Sequence, residues 1–355
     1  MTAVVEVVSP APRREWDEVL ATNPHASAFQ SPQWTSAVCD AAPFIDVSRL
    51  YRMRDGRRLV LPLVRRRETR GRLAMRYSLP SGWGYGGLVA DGDLLRHEDI
   101  VAVWRDLDKS GRGGTTITPK RGQDHLWSAG CIGWSWEKSP VLEHSLDLTG
   151  GFADVWQGAF RSSVRRAVRK AECSGVTVAR DTTGRLIPEF RELYWKSVRR
   201  WAEKDPMPYP VAYWRVKRGE SDRKFAAAAE RMGEACETWL AYLDGRAVAG
   251  IIVLTHDKIA DYWRGAMDIE LAGPVRAADL LHKMAIEDAC ARGAETYSFG
   301  FTRADAAGAS LARFKEGFGA EPVHLSSRIL ERVPVLKTAA ATKRVVREGI
   351  SLLAR

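Results

Sequence analysis

The spacing of hydrophobic positions alternates along the chain between a two-residue and a three-to-four-residue period, which predicts an α/β protein. Residues 4–8 have the pattern of a first strand. Two Asp-Gly pairs, at 55–56 and 244–245, separate strand-like runs, and this dipeptide is a strong signal for a tight hairpin. Helical periodicity predicts helices at 97–110, 152–171, 188–202, 213–235 and 274–292.

The order of the predicted elements divides the chain into two units of similar construction. A length of 355 residues favours two domains. We place the first at 1–149, the second at 150–324, and a closing segment at 325–355. From residue 150 onward the order is β-α-α-β-β-β-α-β-α-β, which is typical of an acyltransferase fold with a central mixed sheet. The sequence therefore predicts an α/β (α+β) protein in which two central sheets are flanked by helices.

Charge adds a preference for anionic partners. Hydrophobic residues make up 45% and charged residues 28%, as in an ordinary globular protein, but the net charge is +10. Residues 151–220 hold fifteen Lys and Arg against eight Asp and Glu, so most of the excess lies in one fifth of the chain. Such an excess favours nucleic acid, phosphorylated metabolites or anionic lipid as partners.

One predicted helix concentrates this charge on a single face. Arg161, Arg165 and Arg169 are four residues apart and lie on the same side of a helix. Arg199 and Arg200 close the next predicted helix. Two interpretations remain open: a solvated basic face, or a surface for a phosphate-rich ligand.

Several classes of protein are disfavoured by what the sequence lacks. Its five cysteines contain no Cys-x-x-Cys and its seven histidines no His-x-x-x-His, so neither a disulfide framework nor a metal site is predicted. No apolar window approaches 18 residues, so we expect no stable membrane insertion. The N-terminus lacks the apolar core of a signal peptide, and we expect a cytoplasmic protein with reduced thiols.

A glycine-rich segment interrupts the first unit. Residues 79–88 read LPSGWGYGGL, with four glycines in six positions, which demands unusual backbone angles or close approach to a ligand. The segment has neither the Gly-Lys-Ser/Thr ending of a P-loop nor the spacing of a dinucleotide fingerprint. It is therefore either a binding loop or a structural turn.

A lysine near the end of the second unit is a candidate for chemistry. It follows a predicted strand, 296–301, and a loop of small residues. Leu311, Phe314 and Phe318 share one helical face, and Lys315 lies at its edge. A cation at the end of a strand–loop–helix unit suits an oxyanion or phosphate site, whereas the alternative is a surface helix with a solvated lysine.

Ordered segments across the chain resemble the FemABX aminoacyltransferases. They cover about residues 27–330, and the most characteristic are 29–34 (FQSPQW), 79–87, 160–176 (FRSSVRRAVRKAECSGV), 244–251 (DGRAVAGI), 262–266 (YWRGA), 299–300 and 311–319 (LARFKEGFG). The resemblance implies two GNAT-like domains in tandem, with the C-terminal segment returning to the first. The long helical arm of some family members has no counterpart here.

The same resemblance implies a reaction. An amino acid passes from aminoacyl-tRNA, the co-substrate, to an amine acceptor, either a peptidoglycan precursor or a small peptide or natural-product intermediate; no other cofactor is expected. Lys315 would stabilise the tetrahedral intermediate and Phe314 would position the tRNA end. Asp268 is a candidate base. Candidates for substrate or tRNA binding are Arg161, Arg165, Arg169, Arg199, Arg200, Tyr209, Tyr262 and Arg303.

Other functions compete with this one. An acyl-CoA-dependent N-acyltransferase usually has a glycine-rich turn before its long helix, but residues 272–279 contain one glycine, and Pro274 removes a donor. A non-enzymatic RNA-binding or membrane-surface adaptor is the third class. For the basic segment 333–355, packing on the first unit, peripheral membrane contact and a nucleic-acid arm are the alternatives.

Overall fold

The computed structural model describes residues 4–68, 74–110, 113–130, 135–137, 141–203, 207–304 and 308–331. The first unit contains short strands and four helices among its described residues. The strands are β1 (Val4–Val8), β2 (Phe44–Asp46), β3 (Arg49–Met53), β4 (Arg58–Leu61), β5 (Val64–Arg66), β6 (Arg76–Tyr77), β7 (Val89–Ala90), β8 (Thr115–Ile117) and β9 (Ser135–Glu137). The helices are α1 (Arg13–Ala21), α2 (Pro32–Ala41), α3 (His97–Lys109) and α4 (Asp124–Ala129).

The second unit has longer strands and more helix. Its strands are β10 (Val141–Asp147), β11 (Thr177–Asp181), β12 (Cys236–Leu243), β13 (Arg246–His256), β14 (Ile259–Met267), β15 (Thr296–Arg303) and β16 (Glu321–Leu325), and a last strand is β17 (Arg328–Leu330). Its helices are α5 (Gly151–Asp154), α6 (Ser162–Cys173), α7 (Ile187–Glu203), α8 (Tyr209–Gly219), α9 (Lys224–Met232), α10 (Ile269–Val275), α11 (Ala277–Ala291) and α12 (Ala309–Gly317).

Three sheets organise these strands, and the predicted mixed α/β architecture is confirmed. One sheet of the first unit has the order β1-β3-β4-β7, and the other has the order β2-β5-β6-β8-β17-β9. Because β17 pairs with both β8 and β9, the chain returns to the first unit at residue 328. The remaining sheet has seven strands in the order β11-β12-β13-β14-β15-β10-β16. It takes in β10, which the sequence division had assigned to the first unit.

The seven-stranded sheet opens at its centre. Strands β14 and β15 are parallel and pair over residues 259–261 and 296–298, after which the pairing ends. Their neighbours, β13 and β10, are antiparallel to them. Beyond residue 261 the two central strands therefore separate, and the space between them becomes available for a ligand.

The two units share buried side chains across their boundary. The Trp263 ring on β14 lies 4.8 Å from that of Trp34 and 5.7 Å from that of Trp83. Nearby, the hydroxyls of Ser27 and Tyr85 donate to the buried carboxylate of Asp261 at 2.7 and 2.8 Å. These contacts join the start of α2 and the glycine-rich segment to the centre of the seven-stranded sheet.

Both predicted Asp-Gly hairpins are confirmed, whereas three predicted helices are interrupted. Residues 152–171 contain a π-helical turn, Val155–Ala159, and the helix restarts at Ser162. At this break the Arg161 N–H donates to the Gly317 carbonyl at 2.9 Å, so a tertiary contact replaces a helical one. Residues 213–235 divide into α8 and α9, and 274–292 into α10 and α11, with Arg276 at φ 59° between the latter pair.

No helix among the described ranges is both long and apolar enough to cross a bilayer. The basic segment predicted at 333–355 lies outside the described residues.

Candidate active site

The candidate site is built on a bulge in β15. Glu143 of β10 pairs with Phe301, but Ser145 pairs with Ser298, so two residues of β15 face one of β10. Gly300 has φ 63°, and a Cβ there would lie 3.1 Å from the Tyr262 carbonyl oxygen. Glycine meets both demands, and the bulge leaves carbonyl oxygens outside the ladder.

Lys315 uses those carbonyl groups. Its Nζ donates to the Gly300 oxygen at 2.8 Å and to the Phe301 oxygen at 3.1 Å, and the residue is only 1% exposed. An ammonium has three donors; two are engaged, and within the described ranges the third has no partner and is available to a ligand. Burial lowers the pKa of Lys315 to about 7, against an opposing effect of Glu143. The alternative of a solvated surface lysine is therefore wrong.

A cluster of aromatic rings includes Phe314, the residue before the lysine. Phe314 is half-buried and meets Phe318 edge-on at 5.3 Å and His282 at 5.5 Å. Burial, together with the charge of Lys315, lowers the pKa of His282 to about 3, so the imidazole is neutral at physiological pH. Its Nδ1 lies 3.1 Å from the Tyr297 hydroxyl, which fixes the ring.

A cavity of about 970 Å³ connects the lysine to both units. It lies where β14 and β15 separate, and its walls include parts of α7, α10, α11 and α12. The first unit contributes Phe29 and the glycine-rich segment. Cavities of this size hold ligands of several hundred daltons. The site is therefore shaped jointly by the two units.

Four of the sequence-predicted residues line this cavity: Phe314, Lys315, Tyr262 and Arg200. The Tyr262 ring meets His282 at 4.7 Å, and burial raises the pKa of the tyrosine to about 12. Arg200 donates to the Met267 carbonyl at 3.3 Å, and burial lowers the pKa of its guanidinium. The structure thus brings together residues that are more than 100 positions apart in sequence.

Asp268 and Tyr209 are not among the residues that line the cavity. Lys196 donates to the Asp268 carboxylate at 2.8 Å, and this bond is the largest of the effects that lower the pKa of the acid. An ion-paired carboxylate with a lowered pKa is a weak base. Tyr209 is 41% exposed and stacks on Tyr213 at 5.8 Å.

The basic residues divide into exposed and structural ones. Arg165 donates to the carbonyls of Trp156 and Gln157 at 3.1 and 3.0 Å, so it holds the π-helical turn before α6. Arg161, just before α6, and Arg169 on α6 are exposed, as is Arg199 on α7. Arg161 also lies 3.9 Å from Glu316, next to the candidate lysine. The side chain of Arg303 lies outside the described residues.

Sequence patterns did not identify a second buried lysine near the cavity. Lys224 is 1% exposed, and its Nζ donates to Glu220 at 2.7 Å and lies 5.0 Å above the Trp83 ring. Burial lowers its pKa to about 7. Arg264 donates to the Gly82 carbonyl beside it. The local sequence, KFAAAA at 224–229, gives no sign that this lysine is buried beside aromatic rings.

Comparisons with known proteins agree with this architecture. The family model for the acetyltransferase (GNAT) domain matches residues 158–316. The solved structure of FemX superposes with a TM-score of 0.68 at 15% identity, covering 94% of this chain and 99% of that one. L-PGS from Bacillus licheniformis gives a TM-score of 0.53 at 12% identity, covering 93% and 95%. No curated protein matches the chain.

These findings indicate the class of protein. Residues 158–316, in the second unit, match the model of the GNAT acetyltransferase domain, which supports an acyltransferase. The fold of the chain is that of FemX, which agrees with the resemblance to the FemABX proteins seen in the sequence.

Proposed function

We propose that this protein is an aminoacyl-tRNA-dependent aminoacyltransferase that forms an amide bond with an amine acceptor. The observation that carries the proposal is Lys315, buried against the carbonyls of Gly300 and Phe301 on the wall of the inter-unit cavity. An ammonium fixed in this way is preorganised for charge that appears only during reaction.

The position of the lysine supports the following reaction. The neutral acceptor amine attacks the ester carbonyl of the aminoacyl-tRNA, a C–N bond forms, and negative charge develops on the carbonyl oxygen. The third N–H of Lys315 donates to that oxygen. The C–O bond to the tRNA ribose then breaks, and the amine loses a proton as the ribose hydroxyl regains one. Because the ester is already activated, no nucleophilic side chain is needed.

The cavity walls supply binding groups for both substrates. Phe314, half-buried beside the lysine, offers a ring face on which the terminal base of tRNA would stack. Tyr262 and Arg200 lie on the same cavity and would contact the acceptor. The acceptor is an amine on a peptidoglycan precursor or on a small peptide or natural-product intermediate. Dependence on charged tRNA implies that the protein works in the cytoplasm.

Acyl-CoA is the competing donor, and the GNAT family match is the observation in its favour. A pyrophosphate would need the free N–H groups at the start of α11. Asp279 stands in the first turn of that helix, 3% exposed and bonded by Arg276 at 2.8 Å. Because this carboxyl group already occupies the positive end of the helix, less attraction is left there for a second anion. This arrangement supports aminoacyl-tRNA over CoA.

Donor dependence tests the proposal directly. Mixed aminoacyl-tRNAs, with one labelled amino acid at a time, are incubated with the protein and a panel of amine acceptors, and amide products are detected by mass spectrometry. We expect transfer that ribonuclease abolishes and that acetyl-CoA cannot support. Transfer that survives ribonuclease and requires acyl-CoA would establish the competing donor instead.

The exposed charges on α6 give a binding prediction. Reversing Arg161→Glu together with Arg169→Glu is expected to weaken tRNA binding, most strongly at low salt, because binding a phosphate releases counterions. The slope of log K against log salt should become shallower by about 0.7–0.9 for each phosphate that the variant no longer binds. Filter binding across a salt series measures this slope.

A matched variant tests whether the position of the reversed charges or the net charge of the protein determines tRNA affinity. Arg105→Glu with Lys109→Glu removes the same charge from an exposed face of α3, in the first unit. It should leave tRNA affinity close to that of the unaltered protein. An equal weakening of tRNA binding in both variants would mean that overall charge, not the α6 face, binds the tRNA.

A further inference from the structure

Glu143 is a buried acid that the proposed reaction does not use. It lies on β10 and is 1% exposed. The Ser298 hydroxyl donates to its Oε1 at 2.9 Å. No group in the described ranges forms a hydrogen bond with its Oε2. A buried carboxylate with a free oxygen is costly unless it serves another charge.

A short chain of hydrogen bonds links this acid to the candidate lysine. The Gly300 N–H donates to the Ser298 oxygen at 3.1 Å, and the Gly300 carbonyl accepts from Lys315 at 2.8 Å. Gly300 is therefore connected to Glu143 through its N–H and Ser298, and to Lys315 through its carbonyl. Both charged groups thus stabilise the conformation of the same residue.

Among the described residues, three titratable groups interact electrostatically with the lysine: Glu143 and His144 from β10, and His282 from α11. Glu316, the next residue on the lysine's own helix, lies beside His144. Burial and the charge of Lys315 lower the pKa values of both histidines, so neither adds positive charge at neutral pH. Glu316 lies 3.9 Å from both His144 and Arg161. Among these groups Glu143 is the acid whose charge acts on the lysine.

The acid itself faces three charges. Burial raises the pKa of Glu143 to about 7, with a further increase from Asp261, whereas Arg121 and Lys315 lower it. Glu143 and Arg121 also line a second cavity, of about 650 Å³, together with Ser145. Glu143 therefore lies between this second cavity and the bulge that holds Lys315.

We propose that Glu143 is a positioning residue that acts through Lys315: its carboxylate, through Ser298 and the bulge at Gly300, keeps the lysine ammonium charged and oriented toward the substrate cavity. The catalytic part of this inference depends on the proposed function. The electrostatic part concerns Glu143 and Lys315 in the free protein and does not depend on the proposed function.

Removing the charge of Glu143 should shift the pKa of Lys315 in a definite direction. A neighbouring carboxylate favours the charged lysine, so its removal lowers the pKa of Lys315. Because the ammonium is the active form, activity is lost as pH rises through that pKa. In Glu143→Gln, which keeps an oxygen acceptor for Ser298 but removes the charge, the alkaline limb of the pH–kcat profile should move down by about one pH unit.

The first test needs no substrate. The protein is labelled with ¹³Cε-lysine, the Lys315 signal is assigned from its absence in Lys315→Arg, and the lysine is titrated by NMR. We expect the Lys315 midpoint in Glu143→Gln to fall by about one pH unit. Glu321→Gln removes a carboxylate that lines the same second cavity and should leave the midpoint unchanged.

The outcomes are distinguishable. An unchanged Lys315 midpoint in Glu143→Gln overturns the inference. If Glu143→Gln does not fold, Glu143→Asp, which keeps the charge on a shorter side chain, replaces it. That variant should retain the Lys315 midpoint while kcat falls, and a lowered midpoint would contradict the inference. Absence of tRNA-dependent transfer in the unaltered protein would refute the proposed function but not the titration result.

Discussion

Lys315→Ala is expected to lower kcat for amide formation by about 100-fold, a loss of roughly 3 kcal/mol of transition-state stabilisation. The ammonium is buried and held by two backbone carbonyls, so its orientation is set before substrate arrives. Because the carbonyl oxygen gains its charge only on attack by the amine, the decrease should appear in kcat and kcat/KM equally. Steady-state kinetics with charged tRNA, supported by tRNA binding, measures it.

A control on the same helix tests whether the effect is specific. Arg313→Ala removes one positive charge from an exposed position of α12, two residues from the lysine. It should retain nearly full kcat, and both variants should melt within a few degrees of the unaltered protein. Unchanged turnover in Lys315→Ala would remove this lysine from the mechanism. Weaker binding without a decrease in kcat would make it a binding residue.

Gly84→Ala is expected to destabilise the fold by about 2–5 kcal/mol, the sum of a left-handed backbone penalty and overpacking. Gly84 has φ 83°, and a Cβ there would lie 2.6 Å from ring atoms of Phe29. That ring is buried between Trp34 and Tyr85, with centroids 5.2 Å from each, so it has little room to move. Urea unfolding measures the change in the free energy of unfolding.

Gly56→Ala separates the two contributions. Gly56 has φ 84° in the first hairpin, but a Cβ there would have no atom within 4 Å. Its substitution should cost only the backbone term, about 1–2 kcal/mol. Equal destabilisation in the two variants would show that contact with Phe29 contributes nothing.

The Gly84 comparison also bears on the two interpretations of the glycine-rich segment. Gly82 and Gly84 line the substrate cavity, and Gly84 is pressed against a buried ring. The segment is therefore both a packed turn and part of the cavity wall. Sequence could not choose between a binding loop and a turn, because the contacts that decide it come from Phe29 and Arg264.

Local features were predictable where a few neighbouring residues determine the backbone. The hairpin at 244–245 forms as expected, with both Asp244 and Gly245 at positive φ. The helix carrying Arg165 and Arg169 was also predicted, but its start just after Arg161 was not. That start depends on Gly317, whose carbonyl accepts the Arg161 N–H from more than 150 positions away.

Tertiary structure decided which partners these charged side chains have. Asp268 and Arg165 matched the chemistry of a base and a phosphate ligand, but Lys196 and the carbonyls of the π-helical turn already occupy them. Glu143 had no distinguishing local pattern, since an acid in a strand is normally solvated. Its significance comes from the sheet, which sets β10 beside β15.

The amino-acid sequence by itself determined the α/β class, the hairpins, the basic helix and the choice of Lys315 as the leading candidate. Tertiary structure decided that this lysine is buried. Periodicity assigned it only to the edge of an amphipathic helix, because a helical pattern reports which face is apolar and not what covers that face. The covering group is the bulge at Gly300, and its two carbonyls replace the water that a lysine at that edge would otherwise bind.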